Sequence, residues 1–389
     1  MKKNIMFIVP KLTGGGAEKT VANLTKILDK SIFNIYIVIF KETTLKYNYE
    51  GNLFCLKSKK GKHFFSNLIY AYKLSKELLQ LKKDLKIDIA ISFLTYADII
   101  NLLSKRKEKM IISIRNMDSI LLNHTFLYHI TKFCCKKADK IVAISKQVKE
   151  DIVLNFNIPN EKVNVIYNPI MDVEMCPLYS VDEEYIITVG RLTNQKGQWH
   201  LIRAFNEVLK VFPELKLYIL GEGENEKYLK ELVKNYAIED NVYFLGFVNN
   251  PLQYLQSAKI FVFSSLYEGL GNSILEAIAC NIPIISTDCD AGPREILSPE
   301  TSFKKRLNNK IEYAKYGVLV PCFDGKKRKA SESLTKEEKL LVESIITLLS
   351  NNDLILKYKK NSILRIKDFS PRTISEQWSE ILNEKEEKL

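Results

Sequence analysis

Short apolar runs separated by amphipathic stretches recur along the chain, and this alternation predicts parallel strands covered by helices. In the first half, the runs at 5–9, 35–40, 87–93, 110–114, 141–145 and 163–167 read as strands. A second series starts at 185–189 and continues through 215–220, 242–245, 260–263 and 282–286. Two such series mean two doubly wound α/β domains. The break falls between 168 and 181, where Pro169, Pro177 and a mixed polar run interrupt the periodicity. Residues 326–336 read as a polar, charged loop, and no internal repeat or low-complexity tract is evident. A last amphipathic stretch carries Ile374, Trp378, Ile381 and Leu382 at the spacing of one apolar helix face.

Composition fits this division, because 389 residues with 46% hydrophobic content can bury two cores. No apolar run reaches 18 residues, so no spanning helix is expected, and the opening Met1-Lys2-Lys3-Asn4-Ile5 enters a strand that Pro10 ends too early for a signal peptide. The cysteines, at 55, 134, 135, 176, 280, 289 and 322, are odd in number and lack a Cys-x2-Cys pair. They predict reduced, mostly buried thiols of a cytosolic protein rather than a disulfide or zinc framework. His63, His124, His129 and His200 show no metal-ligand spacing, so surface or satisfied half-buried positions are expected for them.

Charge is uneven. Residues 1–170 hold 29 Lys and Arg against 14 Asp and Glu, a surplus of 15, whereas the remainder holds 29 against 32, a deficit of 3. The basic half is the one that would meet an anionic partner. No nucleic-acid-binding motif accompanies it, so an anionic membrane surface is the expected partner, with a merely soluble, basic surface as the alternative. Two groups combine cations with aromatic rings: Lys57, Lys59, Lys60 and Lys62 with His63, Phe64 and Phe65, and Lys132, Lys136 and Lys137 with Phe126, Tyr128 and Phe133.

The most informative segment follows the strand at 260–263. There Glu268 lies in a Gly-rich turn, and Glu276 lies eight residues on, inside the helix that the turn opens. A helix N-terminus offers unpaired N–H groups and partial positive charge to a diphosphate. Glu276, about one turn in, offers two acceptor oxygens to a ribose diol, and Glu268 can face a sugar. Exposed glutamates are common, but Leu275, Ala277, Ile278 and Ala279 enclose Glu276 in small or apolar residues.

Here the chain resembles the retaining glycosyltransferases of family 4, which have the GT-B architecture of two Rossmann-like domains with a cleft between them. Their Glu-x7-Glu element is matched by Glu268 and Glu276, and the resemblance extends over almost the whole chain. It implies an N-terminal acceptor-binding domain over 1–172, a nucleotide-sugar domain over 173–368 and a C-terminal helix over 369–389 that crosses back onto the first domain. In the family the second glutamate holds the donor ribose and the first lies beside the transferred sugar. Gly271, Asn272 and Ser273 would then present backbone N–H groups to phosphate.

Other segments extend the resemblance. After the strand at 185–189 come Arg191 and Lys196, a planar fork and a mobile point charge suited to a departing diphosphate. The family binds the diphosphate with an Arg and a Lys at this spacing. After the first strand, Thr13-Gly14-Gly15-Gly16-Ala17-Glu18 opens a helix. Gly15 and Gly16 allow close backbone approach, and the family has a matching turn on the wall facing the donor diphosphate. The turn at Gly221-Glu222-Gly223 could be misread as a dinucleotide fingerprint, but Glu226 stands where the third glycine is needed. In the family this turn and Phe244-Leu245-Gly246-Phe247 border the base.

Two features differ or compete. Asp288-Cys289-Asp290 imitates a metal-binding Asp-x-Asp pair, but the fold implied is metal-independent, and neither metal nor cofactor is expected. The neighbouring Gly292-Pro293-Arg294-Glu295 resembles a family loop near the donor sugar. Many members place a histidine after the fourth strand of the first domain, where this chain has Ser113-Ile114-Arg115-Asn116. Arg115 either takes over its electrostatic role or binds a charged acceptor.

The resemblance therefore implies a retaining hexosyltransferase. It would move a hexose or N-acetylhexosamine from a nucleoside-diphosphate sugar, with UDP as the nucleotide, to a sugar hydroxyl of a lipid-linked saccharide. Polysaccharide, O-antigen, capsule or glycoprotein glycan synthesis at the cytoplasmic face of the inner membrane is the expected setting. The competing readings are an epimerase or phosphorylase on the same fold, or a basic binding protein without activity.

Overall fold

The computed structural model describes residues 2–42, 44, 47–58, 66–122, 125–171, 179 and 183–384. The chain forms two compact units, 1–171 with 370–389, and 172–369. The first unit contains β1 (Lys3–Ile8), β2 (Phe33–Ile39), β3 (Asn52–Cys55), β4 (Ile89–Phe93), β5 (Lys109–Ile114), β6 (Lys140–Ala143) and β7 (Val163–Val165), all parallel, in the order β3-β2-β1-β4-β5-β6-β7. The second contains β8 (Tyr185–Val189), β9 (Lys216–Leu220), β10 (Val242–Gly246), β11 (Ile260–Phe263), β12 (Ile284–Thr287), β13 (Glu312–Tyr313) and β14 (Val318–Val320), in the order β10-β9-β8-β11-β12-β14-β13, with β13 antiparallel to β14. Each sheet reverses its direction of growth once, between β1 and β4 and between β8 and β11.

Every predicted strand is present, shifted by a residue or two at its ends. The strands absent from the sequence reading are β3, β13 and β14. They run for four, two and three residues; β3 and β13 lie at sheet edges and carry the polar Asn52 and Glu312, whereas β14 is a short buried run.

Alternation explains why the first sheet is apolar on both faces. Ile5, Phe7 and Val9 join one buried cluster, whereas Met6 and Ile8 join another on the opposite face. The first cluster is completed by the helix Pro371–Asn383, whose Ile374, Trp378, Ile381 and Leu382 pack with Val21, Leu24 and Leu28. Ser370 caps that helix by accepting from the Thr373 N–H, and Pro371 sits in its first turn. Its carbonyls are also tied down: Lys3 Nζ donates to Leu382 O at 2.9 Å and Lys109 Nζ to Ile381 O at 2.7 Å. Among the described residues, no helix is long and apolar enough to cross a membrane.

One expectation is corrected. His200 is fully buried, with Nδ1 2.7 Å from Glu338 Oε1 and its ring stacked on Phe323 at 4.4 Å. Arg203 Nε donates to the same carboxylate oxygen at 2.9 Å. Burial works against the charge on Glu338, but the hydrogen bonds from His200 and Arg203 hold its pKa below the usual range. Arg203 also donates to the carbonyls of Lys329, Glu332 and Ser333, so the polar stretch at 326–336 is pinned to the helix Gln198–Val208.

Trp378→Ala should destabilise the first unit by about 3–5 kcal/mol, as for loss of a buried aromatic side chain. Trp378→Phe should retain most of that stability. Urea unfolding followed by far-UV circular dichroism measures both, and an unchanged midpoint for Trp378→Ala would contradict the packing described.

Candidate active site

Strands β8 and β11 are direct neighbours, with Ile186 opposite Ile260 and Ile187 opposite Phe261, so the loops leaving their carboxyl ends emerge side by side. The loops are stitched together. Leu266 N–H donates to Gln195 O at 2.8 Å, Ser264 Oγ to Lys196 O at 2.8 Å, and Gln195 Nε2 to Tyr267 O at 3.0 Å. This brings Lys196 Nζ to 2.5 Å from Glu268 Oε1 and to 5.0 Å from the centroid of the Phe263 ring. The two side chains are only 15% and 9% exposed. Removing both charges from water costs more than a surface pair returns, so a pair held this way is better explained by chemistry than by stability.

The segment that carries Glu268 then turns into the helix Asn272–Ala279 through Gly271, whose φ of +94° suits glycine and which caps the helix with no side chain. Asn272 and Ser273 form its first turn, where backbone N–H groups lack intrahelical acceptors. Glu276 lies one turn in and is half-buried, whereas Ser273, Ile274, Leu275, Ala277 and Ile278 are buried. The helix thus presents a partial positive end with a carboxylate just beyond it.

Gly221 fixes the floor beside these loops. Its φ is +134°, and a Cβ there would lie 2.0 Å from Gly190 O, so the turn after β9 presses directly on the turn that carries Arg191. Gly221 N–H also donates to Gly246 O at 2.7 Å, joining the turns after β9 and β10. Arg191 is exposed, and its carbonyl is held by Gln198 Nε2 at 2.9 Å.

The Asp-x-Asp imitation has a different occupation. Asp288 is fully buried and accepts from Arg294 Nε at 2.9 Å, from another Arg294 nitrogen at 2.7 Å and from Leu307 N–H at 2.9 Å. Asp290 accepts from Arg306 Nε at 3.0 Å. Arg294, read from sequence as near the donor sugar, is itself buried and also reaches Glu312 at 3.1 Å. Burial opposes the charge on Glu312, but hydrogen bonds from Lys305, Ser298 and Arg294 bring its carboxyl down to about 2.

In the first unit, Gly15 caps the helix Gly16–Ile27 and the carboxylate of Glu18 folds against it, with Oε2 2.0 Å from where a Gly15 Cβ would be. Sequence reading credited this turn with its glycines and overlooked the carboxylate at the third helical position, a common place for a capping glutamate. Arg115, at the end of β5, is buried and donates to Ser113 Oγ at 3.3 Å, to Thr20 Oγ1 at 3.0 Å and to Asn168 Oδ1. Burial lowers its pKa to about 9. It is therefore built into the wall.

Beside Arg115 the sequence reading missed Asp98 and Asp118, which line one pocket with it. Asp98 stands in the apolar helix Thr95–Leu103, and a lone acid there was the signal available. Of the surface residues proposed from sequence, Phe126 and Phe133 are 79% and 54% exposed, but Tyr128 is buried, its hydroxyl donating to Asn155 O at 2.8 Å. Lys59, Lys60, Lys62, His63, Phe64 and Phe65 lie outside the described residues, as do His124, Cys176 and Pro177.

The family model for Glycosyltransferase Family 4 matches residues 14–172, and that for Glycosyl transferases group 1 matches residues 178–315. An uncharacterized glycosyltransferase of Methanocaldococcus jannaschii is 32% identical over 92% of this chain and 94% of its own length. The N-acetylgalactosamine-N,N'-diacetylbacillosaminyl-diphospho-undecaprenol 4-alpha-N-acetylgalactosaminyltransferase of Campylobacter jejuni is 28% identical over 95% of this chain and 96% of its own. Among solved structures, Anabaena HepE in complex with UDP and glucose superposes with a TM-score of 0.75 over 98% of this chain and 99% of that one, at 16% identity. The fold, the two matched family models and the full-length relatives agree: the chain belongs to the family 4 glycosyltransferases of GT-B architecture.

Proposed function

We propose that the chain transfers a hexose or N-acetylhexosamine from UDP to a hydroxyl of a lipid-linked saccharide, with retention at the anomeric carbon and without a metal. The observation that carries this reading is the Lys196–Glu268 contact at the ends of β8 and β11, beside the uncapped helix Asn272–Ala279. As the bond from the sugar to phosphate breaks, negative charge grows on the leaving oxygen. Arg191, Lys196 and the N–H groups of Gly271, Asn272 and Ser273 are the groups that meet it. The acceptor oxygen forms the new glycosidic bond on the same face and passes its proton to that leaving oxygen. Glu268 orients the sugar, Glu276 accepts from the ribose diol, and the turn of Gly221 borders the base.

Support for UDP comes from the Anabaena neighbour, whose structure holds UDP and glucose. Support for a lipid-linked acceptor comes from the Campylobacter relative, named for a diphospho-undecaprenol-linked saccharide. Membrane contact fits the surface of the first unit. The helices Asp118–Leu121 and Phe126–Lys137 expose Ile120, Leu121, Phe126, Leu127 and Phe133, and Lys137 lies 5.7 Å from the Phe133 ring. Exposed apolar residues beside cations suit an anionic lipid surface.

Calorimetric titration of UDP tests the donor assignment. Wild type should bind, and Glu276→Gln should bind about tenfold more weakly or worse, because it removes a charged hydrogen-bond acceptor. Glu268→Gln should instead lose turnover with a smaller change in affinity. Absence of UDP binding would overturn the nucleotide assignment, and equal affinity in Glu276→Gln the ribose role.

Steady-state transfer assays address the diphosphate clamp. Arg191→Ala and Lys196→Ala should each lower kcat by about two to three orders of magnitude, as for one preorganised charge stabiliser. Near-normal turnover in both variants would remove them from the mechanism.

For the membrane, co-sedimentation should show binding to vesicles with phosphatidylglycerol that weakens as salt rises and drops in a Phe126→Ser, Phe133→Ser double variant. Equal binding to neutral phosphatidylcholine vesicles would argue against an electrostatic dock.

A further inference from the structure

Outside the carboxyl ends of β4 and β5 the first unit has a pocket of about 150 Å³ whose walls include Leu94, Thr95, Asp98, Arg115, Asn116 and Asp118. It adjoins the point where that sheet reverses direction, the place where open α/β sheets hold ligands. Leu94, at its edge, has a φ of +76°, a conformation rarely adopted by a residue with a side chain and one that clusters at ligand sites.

Two polar atoms of the wall lack partners. Asp98 is 1% exposed and its Oδ1 accepts no hydrogen bond, although Ser92 donates to the carboxyl. Arg115 is 8% exposed and its Nε donates to nothing, although its other nitrogens are engaged by Ser113, Thr20 and Asn168. Buried polar atoms are nearly always satisfied in folded proteins, so two orphans bordering one pocket call for a ligand that satisfies them.

The charges restrict what that ligand is. An anion would meet the carboxyls of Asp98 and Asp118, and the guanidinium hydrogens that would hold it are mostly spent on neighbours. A cation would meet the fixed guanidinium of Arg115. Burial, with the nearby charge of Asp118, raises Asp98 well above its ordinary range, and burial with Asp151 raises Asp118 to about 7. Two adjoining carboxyls whose burial disfavours full ionisation suit hydroxyl groups, which can donate to their oxygens. A pocket of this size suits a single small ring rather than an extended oligosaccharide.

We propose that this pocket is an acceptor subsite for one neutral sugar ring, held by Asp98 and Asp118, with Leu94 against its apolar face. The assignment rests on the glycosyltransferase reading above and adds the residues that select the acceptor. Arg115 joins the end of β5 to Thr20 and Asn168 and keeps its Nε to donate to a hydroxyl of the ring.

Saturation-transfer NMR on the full chain, with UDP present, tests it using methyl glycosides of glucose, galactose, N-acetylglucosamine and N-acetylgalactosamine, and with glucosamine and glucuronate as charged probes. At least one neutral glycoside should show saturation transfer, and Asp118→Ala should reduce that signal at least fivefold while UDP affinity stays within twofold. Asp98→Asn should behave alike; if it fails to fold, Asp118→Ala, at a half-buried position, still decides. No transfer to any neutral glycoside, an undiminished signal in Asp118→Ala, or preference for either charged probe would overturn the subsite. UDP binding in the same samples separates that failure from failure of the transferase reading.

Discussion

A parallel sheet can be extended in two directions from its first strand, and where it reverses, the loops from two adjacent strand ends must diverge. The second unit uses this constraint directly, whereas the pocket of the first lies one strand over, between β4 and β5. In the second, β8 and β11 are neighbours in space while three α-helices and two strands separate them in sequence. Their loops can therefore bring Lys196 and Glu268 together from positions that the chain order keeps far apart. The sheet is the rigid part, and hydrogen bonds from Leu266, Ser264 and Gln195 transmit its geometry to the charges. Without those bonds two flexible side chains would seldom hold a common geometry.

Buried charges of this protein fall into two kinds. Arg203 with Glu338 and Arg294 with Asp288 are enclosed by carbonyls and opposite charges, and each ties a loop to a helix or strand. Their hydrogen-bonding capacity is largely used within the fold. Lys196 with Glu268 keeps some exposure, and the Lys196 ammonium has only the carboxylate and the face of Phe263 described around it. The same chemical types thus spend their hydrogen-bonding capacity on the fold in one setting and keep part of it unused in another, with the number of fixed partners marking the difference.

The strands were largely legible because most are distinct apolar runs, and the turns that follow several of them carry glycines and charges. Glu268, Glu276, Arg191 and Lys196 could be chosen for the same reason. What escaped depends on distance between segments. Nothing near Arg294 in sequence reveals Glu312 eighteen residues away, and nothing near Arg115 reveals Thr20 or Asn168. Asp98 and Asp118 likewise belong to separate helices, so their shared pocket appears only once β4 and β5 lie side by side. The edge strands β3 and β13 were missed because Asn52 and Glu312 break any apolar run there, whereas the short buried run of β14 was passed over.

The helix Pro371–Asn383 has a consequence for synthesis. The first unit needs Trp378 to close its apolar face, yet the whole of the second unit, residues 172–369, must be synthesised before that side chain is made. At about 5–20 residues per second the interval is on the order of 10–40 s. During it the second unit, continuous in sequence, can fold on its own, while the first waits with Val21, Leu24 and Leu28 uncovered. The earlier-translated part of the molecule is thus the later one to be finished, and the nascent chain carries a sticky strip that a chaperone would recognise.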